Sequence, residues 1–110
     1  VSFIPSCADI DALQPVAGAN LMFFDGTMYT DDEMIRSGEG SKTARRMGHV
    51  PISGAEGSIQ RLEFYRAAME NYFIHINNSN PILDRASPER KAIEGAGWKV
   101  AYDGLRIDVT

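Results

Sequence analysis

The chain has 110 residues, 44% hydrophobic and 24% charged, with a net charge of −4, which is one domain at most with the composition of a soluble globular protein. The acidic balance excludes a general nucleic-acid surface, and Lys42, Arg45 and Arg46 form only a small basic patch, read as solvated or anion-facing. One cysteine, Cys7, excludes an internal disulfide and fits a reducing compartment such as the cytoplasm, and no apolar run nears the roughly 18 residues of a membrane span.

The amino end carries neither a basic region nor a signal-like apolar core, and it begins with Val rather than Met, as a processed or excised fragment would. Val1 to Ile4 reads as a strand closed by Pro5, and Ala8 to Leu13 as a short helix before Pro15. Leu21 to Phe24 is an apolar run ending in Asp25-Gly26-Thr27, the pattern of a buried strand that delivers a carboxylate to a loop. Residues 26 to 57 are punctuated by six glycines, with an acidic stretch from Thr30 to Glu33 suited to opening a short helix. A loop-rich stretch of that length is functional or disordered. The apolar anchors Met47, Val50 and Ile52 around Gly48-His49 favour the ordered, functional option.

Ser58 is placed as the cap of a helix carrying Ile59, Leu62, Tyr65 and Met69 to about Asn71. Phe73, Ile74 and Ile76 then form a short strand containing His75, stopped by the polar stretch Asn77 to Asn80 and by Pro81. Ser87 and Pro88 open another helix, which Gly95 and Gly97 close. Trp98 to Tyr102 and Leu105 to Val109, joined by Asp103-Gly104, carry a hairpin signature. The expected class is α/β, with a mixed sheet and a terminal β-hairpin.

Ligands collect beyond the carboxyl ends of strands in open α/β sheets, and two strands here end near a metal-capable residue, Asp25 and His75. His49 lies in the loop between them. Carboxylate oxygen and imidazole nitrogen together suit zinc, iron or manganese. Each residue also has a plainer reading: Asp25 as a turn residue, His75 as a structural histidine, His49 as loop packing, and the asparagines as a hydrogen-bonded turn. Cys7 has no neighbour in sequence that would activate it as a nucleophile.

The stretches "FFDGTMYTDDEMIRSG", "KTARRMGHVPISG", "FIHINNSNPILDRASPER" and "AGWKVAYDGLRI" resemble, in order and through nearly the whole chain, the carboxyl-terminal part of the pyrroloquinoline quinone biosynthesis protein B family. That family is a branch of the metallo-β-lactamase superfamily, so the resemblance implies the carboxyl-terminal half, residues 1 to 110, of a four-layer αβ/βα sandwich. It further implies Asp25 and His75 as metal ligands, His49 as the residue that moves a proton or binds a substrate carboxylate, and Thr27, Asn77 and Asn78 as shaping the substrate site. The superfamily's amino-terminal H-x-H-x-D-H-like cluster is absent, and the chain has only two histidines. The segment alone is therefore expected to be inactive and to need the missing amino-terminal half as a partner. For the intact protein the resemblance implies iron(II), with zinc as the other candidate metal. The implied reaction is oxygen-dependent hydroxylation of the tyrosine ring in a cross-linked Glu-Tyr intermediate from a precursor peptide. Other readings are a carrier of the cofactor or its precursor, a metal-dependent hydrolase, and a half-domain that self-associates as a homo-oligomer. No nucleic acid or membrane partner is expected.

Overall fold

The computed structural model describes residues 1–10, 20–63 and 69–108. Its centre is a four-stranded sheet in the order β1 (Ser2–Ile4), β2 (Leu21–Asp25), β3 (Glu70–Ile74) and β4 (Trp98–Val100). Every neighbouring pair is parallel, with Phe24 opposite Phe73, Asp25 opposite Ile74 and Phe73 opposite Val100. Around it lie α1 (Glu33–Arg36), α2 (Ser58–Arg61) and α3 (Pro88–Gly95), with single 3₁₀ turns at Arg45–Met47 and Pro81–Leu83.

Alternation along the strands gives the sheet two unlike faces. Met22, Phe24, Phe73 and Trp98 point to the core, joined there by Val50, Ile52, Leu62, Ile82 and Ile93. The Phe73 ring stacks on Trp98 at 4.1 Å between centroids, and Phe24 meets the same indole edge-on at 6.3 Å. The opposite face carries Phe3, Phe23 and Tyr72 as a row of ring contacts at 6.3 and 5.6 Å, with the Lys99 ammonium 5.6 Å from the Tyr72 ring. Phe3 is 68% exposed on that open face. Apolar residues on both faces of β2 are the signature of a strand built to be covered on both sides.

The expected helix from Ser87 forms as α3, with Ser87 Oγ accepting from Arg90 N at 3.0 Å and Pro88 in the first turn. The acidic stretch at 30–33 leads into α1. Four expectations need correction. The sheet is parallel among the described residues rather than mixed, and 105–108 form no strand beside β4. The turn itself is made, with Leu105 N bonded to Tyr102 O at 3.0 Å. Leu105 and Ile107 then line an apolar depression of about 370 Å³ with Phe3, Leu21 and Phe23, so covering the open face outweighs pairing along a three-residue edge strand.

Ser58 is the first residue of α2 rather than its cap, which is Gly57. Its buried Oγ has no hydrogen-bond partner among the described residues, so it caps nothing. Asn71 does not end a helix either, because its backbone belongs to β3, opposite Met22 and Trp98. Of the short helix expected from Ala8 to Leu13, residues 11–13 lie outside the described residues. No described helix is long and apolar enough to cross a membrane.

Candidate metal centre

Because the strands are parallel, their carboxyl ends share one edge, and the chain delivers a polar group there from each of the first three. Asp25 is the last residue of β2 and fully buried. His75 follows β3 directly. The segment after β1 turns inward so that Cys7 N donates to Asp25 Oδ2 at 2.9 Å. His49 arrives from the long loop, which is pinned by Val50 N to Cys7 O at 2.7 Å, Ile52 N to Met28 O at 3.0 Å and Ser53 N to Tyr29 O at 2.9 Å. The loop is ordered where it carries His49, as its apolar anchors led us to expect.

Asp25 accepts four hydrogen bonds. Oδ2 takes Cys7 N and His49 Nδ1, the latter at 2.8 Å, while Oδ1 takes Thr27 N at 3.0 Å and Thr27 Oγ1 at 2.6 Å. Thr27 Oγ1 also lies 2.8 Å from His75 Nδ1 and 3.2 Å from His49 Nδ1. The hydroxyl has a single hydrogen and an ionised carboxylate can only accept, so Thr27 donates to Asp25 and accepts from His75. That bookkeeping places the proton of a neutral His75 on Nδ1 and, by the bond to Asp25, that of a neutral His49 on Nδ1 as well. Each ring then keeps a lone pair on Nε2. For His75 the Thr27 hydroxyl is the outer partner that fixes a ligand histidine by its other nitrogen.

The two rings stack with centroids 5.5 Å apart, and ligand atoms of Asp25, His49 and His75 all lie within 4.8 Å of one another. Metal–ligand bonds of about 2.1 Å bring tetrahedral ligands to roughly 3.4 Å apart, so an ion would draw this group slightly together. Two imidazoles and a carboxylate fit zinc or iron(II) and leave coordination positions open. His75 has a φ of +57°, a left-handed conformation that costs a non-glycine residue about 1 kcal/mol or more. It is held by the ladder continuing past the strands, Gly26 N to Ile74 O at 2.8 Å and Asn77 N to Thr27 O at 3.1 Å.

The expected substrate-side residues are placed differently from one another. Thr27 is buried inside the cluster and touches all three candidate ligands. The Asn77 amide donates to Ser79 Oγ within its own loop, and Asn78 is exposed. Asn80, read from sequence only as part of a turn, is buried and joins the two strand-end loops, donating to Gly26 O at 2.9 Å and accepting from Ile82 N at 3.0 Å. Glu33 was read only as first-turn charge on a helix. It is buried and accepts from Tyr29 N and Ser79 Oγ, clamping the loop after β2 to the loop after β3.

Cys7 contributes its backbone to the site and keeps its thiol in the core. Burial pushes the thiol above its ordinary value of 9.0; a backbone hydrogen bond at Asp9 opposes the rise, and the charges of Asp25 and Asp9 add to it. A raised thiol pKa leaves less thiolate at neutral pH, and 5% exposure leaves little access. Native Cys7 is therefore expected to react with a disulfide reagent on the order of a hundredfold more slowly than after unfolding in urea. Equal rates in a stopped-flow assay would show that the thiol is not in this core.

No family model matches the chain. It is 50% identical over 114 residues to coenzyme PQQ synthesis protein B of Methylobacterium radiotolerans, a match covering 99% of this chain and 37% of that protein. Proteins of the same name from Ruegeria pomeroyi and Bradyrhizobium diazoefficiens are 50% and 53% identical, each match covering 96% of this chain and 36% and 34% of the relative. The chain thus spans about a third of the length of these curated relatives. Among solved structures it is similar to Zn(2+)-bound PqqB from Methylobacterium extorquens, with a TM-score of 0.85 and 46% identity, over 97% of this chain and 39% of that one. The one sheet and its helices accordingly match part of a metallo-β-lactamase-like fold. In sequence and in fold, the chain corresponds to a carboxyl-terminal portion of coenzyme PQQ synthesis protein B.

Proposed function

We propose that this chain is part of a metal-dependent enzyme of PQQ synthesis, in which Asp25 and His75 hold the ion and His49 holds or moves a proton. The observation that carries this reading is the convergence of Asp25, His49 and His75 within 4.8 Å at the carboxyl edge of the sheet. It is supported by the similarity to a zinc-bound relative. The reaction we infer is hydroxylation of the tyrosine ring in a cross-linked Glu-Tyr intermediate. One oxygen atom of dioxygen enters the ring in place of hydrogen, and the other leaves as water with two electrons from an external reductant. Iron(II), when bound, supplies the redox chemistry with dioxygen; zinc in the same donors would supply Lewis acidity.

The chain's own residues do the rest. Thr27 fixes the His75 ring and the Asp25 carboxylate in one hydrogen-bonded unit. His49 is held by Asp25 Oδ2 with its other nitrogen left to accept a proton. Three side chains are too few to hold a metal and also surround a substrate, so the reading assigns further contacts to the rest of the full-length protein.

The test uses full-length protein loaded anaerobically with iron(II) and given substrate, reductant and oxygen. Product heavier by one oxygen atom is expected, with turnover but not metal lost in His49→Ala. Stoichiometric iron without oxygen incorporation would sink the hydroxylase. Loss of metal in His49→Ala would make His49 a ligand instead. A hydrolytic reading is favoured by the zinc of the relative, and turnover with zinc in the absence of oxygen would establish it.

A further inference from the structure

Beside His75, between the ends of β3 and β4, lies a cleft of about 600 Å³, a volume suited to a small-molecule ligand. Its lining includes Arg85 and Arg90, Leu83 and Tyr102, and a single acidic residue, Asp103. Arg90 is paired with Glu94 at 3.6 Å, which leaves the Arg85 guanidinium and the Asp103 carboxylate as the other charges of the cleft.

The two arginines are held differently. Arg90 is anchored: Nη1 donates to Ile82 O at 2.9 Å, and Nε, 3.6 Å from Glu94 Oε2, is buried with no hydrogen-bond partner among the described residues. Arg85 stands on the exposed loop between the Pro81–Leu83 turn and α3 and forms no ion pair with any described residue. Tyr102 and Leu83 are 64% and 49% exposed, giving the cleft apolar surface next to its charge.

We infer that this cleft is the carboxylate-binding subsite of the centre: Arg85 grips a carboxylate of a planar aromatic ligand, Arg90, anchored to Ile82 O and Glu94, braces the wall beside it, and Tyr102 and Leu83 cover the ring. A guanidinium presents paired N–H donors that match the two oxygens of a carboxylate, so it sets orientation as well as affinity. The inference rests on the functional reading above, because His75 lines the same cleft as Arg85.

The probe is PQQ itself, an aromatic tricarboxylate, with its trimethyl ester as the uncharged control, titrated into zinc-loaded full-length protein. Arg85→Gln is expected to weaken PQQ binding by about tenfold to a hundredfold, with Arg85→Lys in between. The ester should bind wild type and Arg85→Gln alike. Zinc content should be unchanged, since Arg85 touches no candidate ligand. Arg90→Lys serves as the second variant, because it keeps the charge and loses the planar fork; a weakening by a few fold is expected.

No PQQ binding by wild type, unaltered binding in Arg85→Gln, or equal weakening of acid and ester would each overturn the inference. Inorganic phosphate competing as well as PQQ would also overturn it, in favour of a general anion site. The two readings fail separately. Loss of zinc in none of the Asp25 or His75 variants, with PQQ binding still dependent on Arg85, would remove the metal reading and leave the cleft standing.

Discussion

Replacing Asp25 by Ala is expected to lower the stability of the protein by about 3 kcal/mol and to abolish its share of metal binding. The size follows from the count of donors. Cys7 N, Thr27 N, Thr27 Oγ1 and the His49 ring all point at this one buried carboxylate. Removing the acceptor leaves two backbone N–H groups without partners in a site water does not reach, each worth about 1–3 kcal/mol, while loss of the carboxylate's own burial cost returns part of the sum. Asp25→Asn separates the two effects. It keeps the volume and one acceptor oxygen, but its NH₂ must face either the Cys7 or the Thr27 donors. The expected loss is about half that of Ala, with metal still gone. Urea unfolding and elemental analysis of the full-length protein decide it; an unchanged midpoint in Asp25→Ala would mean that the four bonds are not made.

Much of this site was legible in sequence because strand ends are. A run such as Leu21–Phe24 closed by Asp-Gly-Thr can put its carboxylate in only one place, past the end of a buried strand, and the same holds for His75 before its asparagines. His49 was legible only as a histidine in a long loop. What brings it to Asp25 is backbone pairing of 50–53 with Cys7, Met28 and Tyr29, and such long-range bonds leave no local pattern. Glu33 and Asn80 were misjudged for the same reason: first-turn charge and turn propensity describe their own segments, whereas their partners lie more than 40 residues away.

The hairpin failed differently. Leu105, Ile107 and their polar neighbours alternate as a strand would, yet the same alternation serves a segment laid across an open apolar face. The arginine cleft had no sequence signature at all, since Arg85 and Arg90 share a cleft with Tyr102 only through the placement of β4 beside β3. The metal reading and the cleft therefore differ in origin: one starts from residue type at a strand end and the other from tertiary packing.

Gly57→Ala is expected to destabilise the protein by about 3 kcal/mol or more and to disturb His49 without touching it. A Cβ at this position would lie 2.1 Å from Ser53 O and 2.6 Å from Ile52 O. Both are backbone atoms, and neither can turn aside as a flexible side chain would. They are also fixed, because Ser53 N and Ile52 N are bonded to Tyr29 O and Met28 O, Ile59 N closes on Ile52 O at 3.2 Å, and Ser58 N closes on Pro51 O at 2.9 Å. The loop must lift from α2 or from the sheet, and lifting it withdraws the support under Val50 and hence the His49 ring bonded to Asp25. Gly95→Ala is the matched control. A Cβ there meets nothing within 4 Å, and alanine is favoured over glycine in a helix by up to about 1 kcal/mol, so that variant should be neutral or slightly more stable. Thermal unfolding of both variants beside wild type, with metal content measured on each, gives the comparison. Equal melting temperatures for the two would show that close packing of Gly57 against Ser53 does not hold the His49 loop in place.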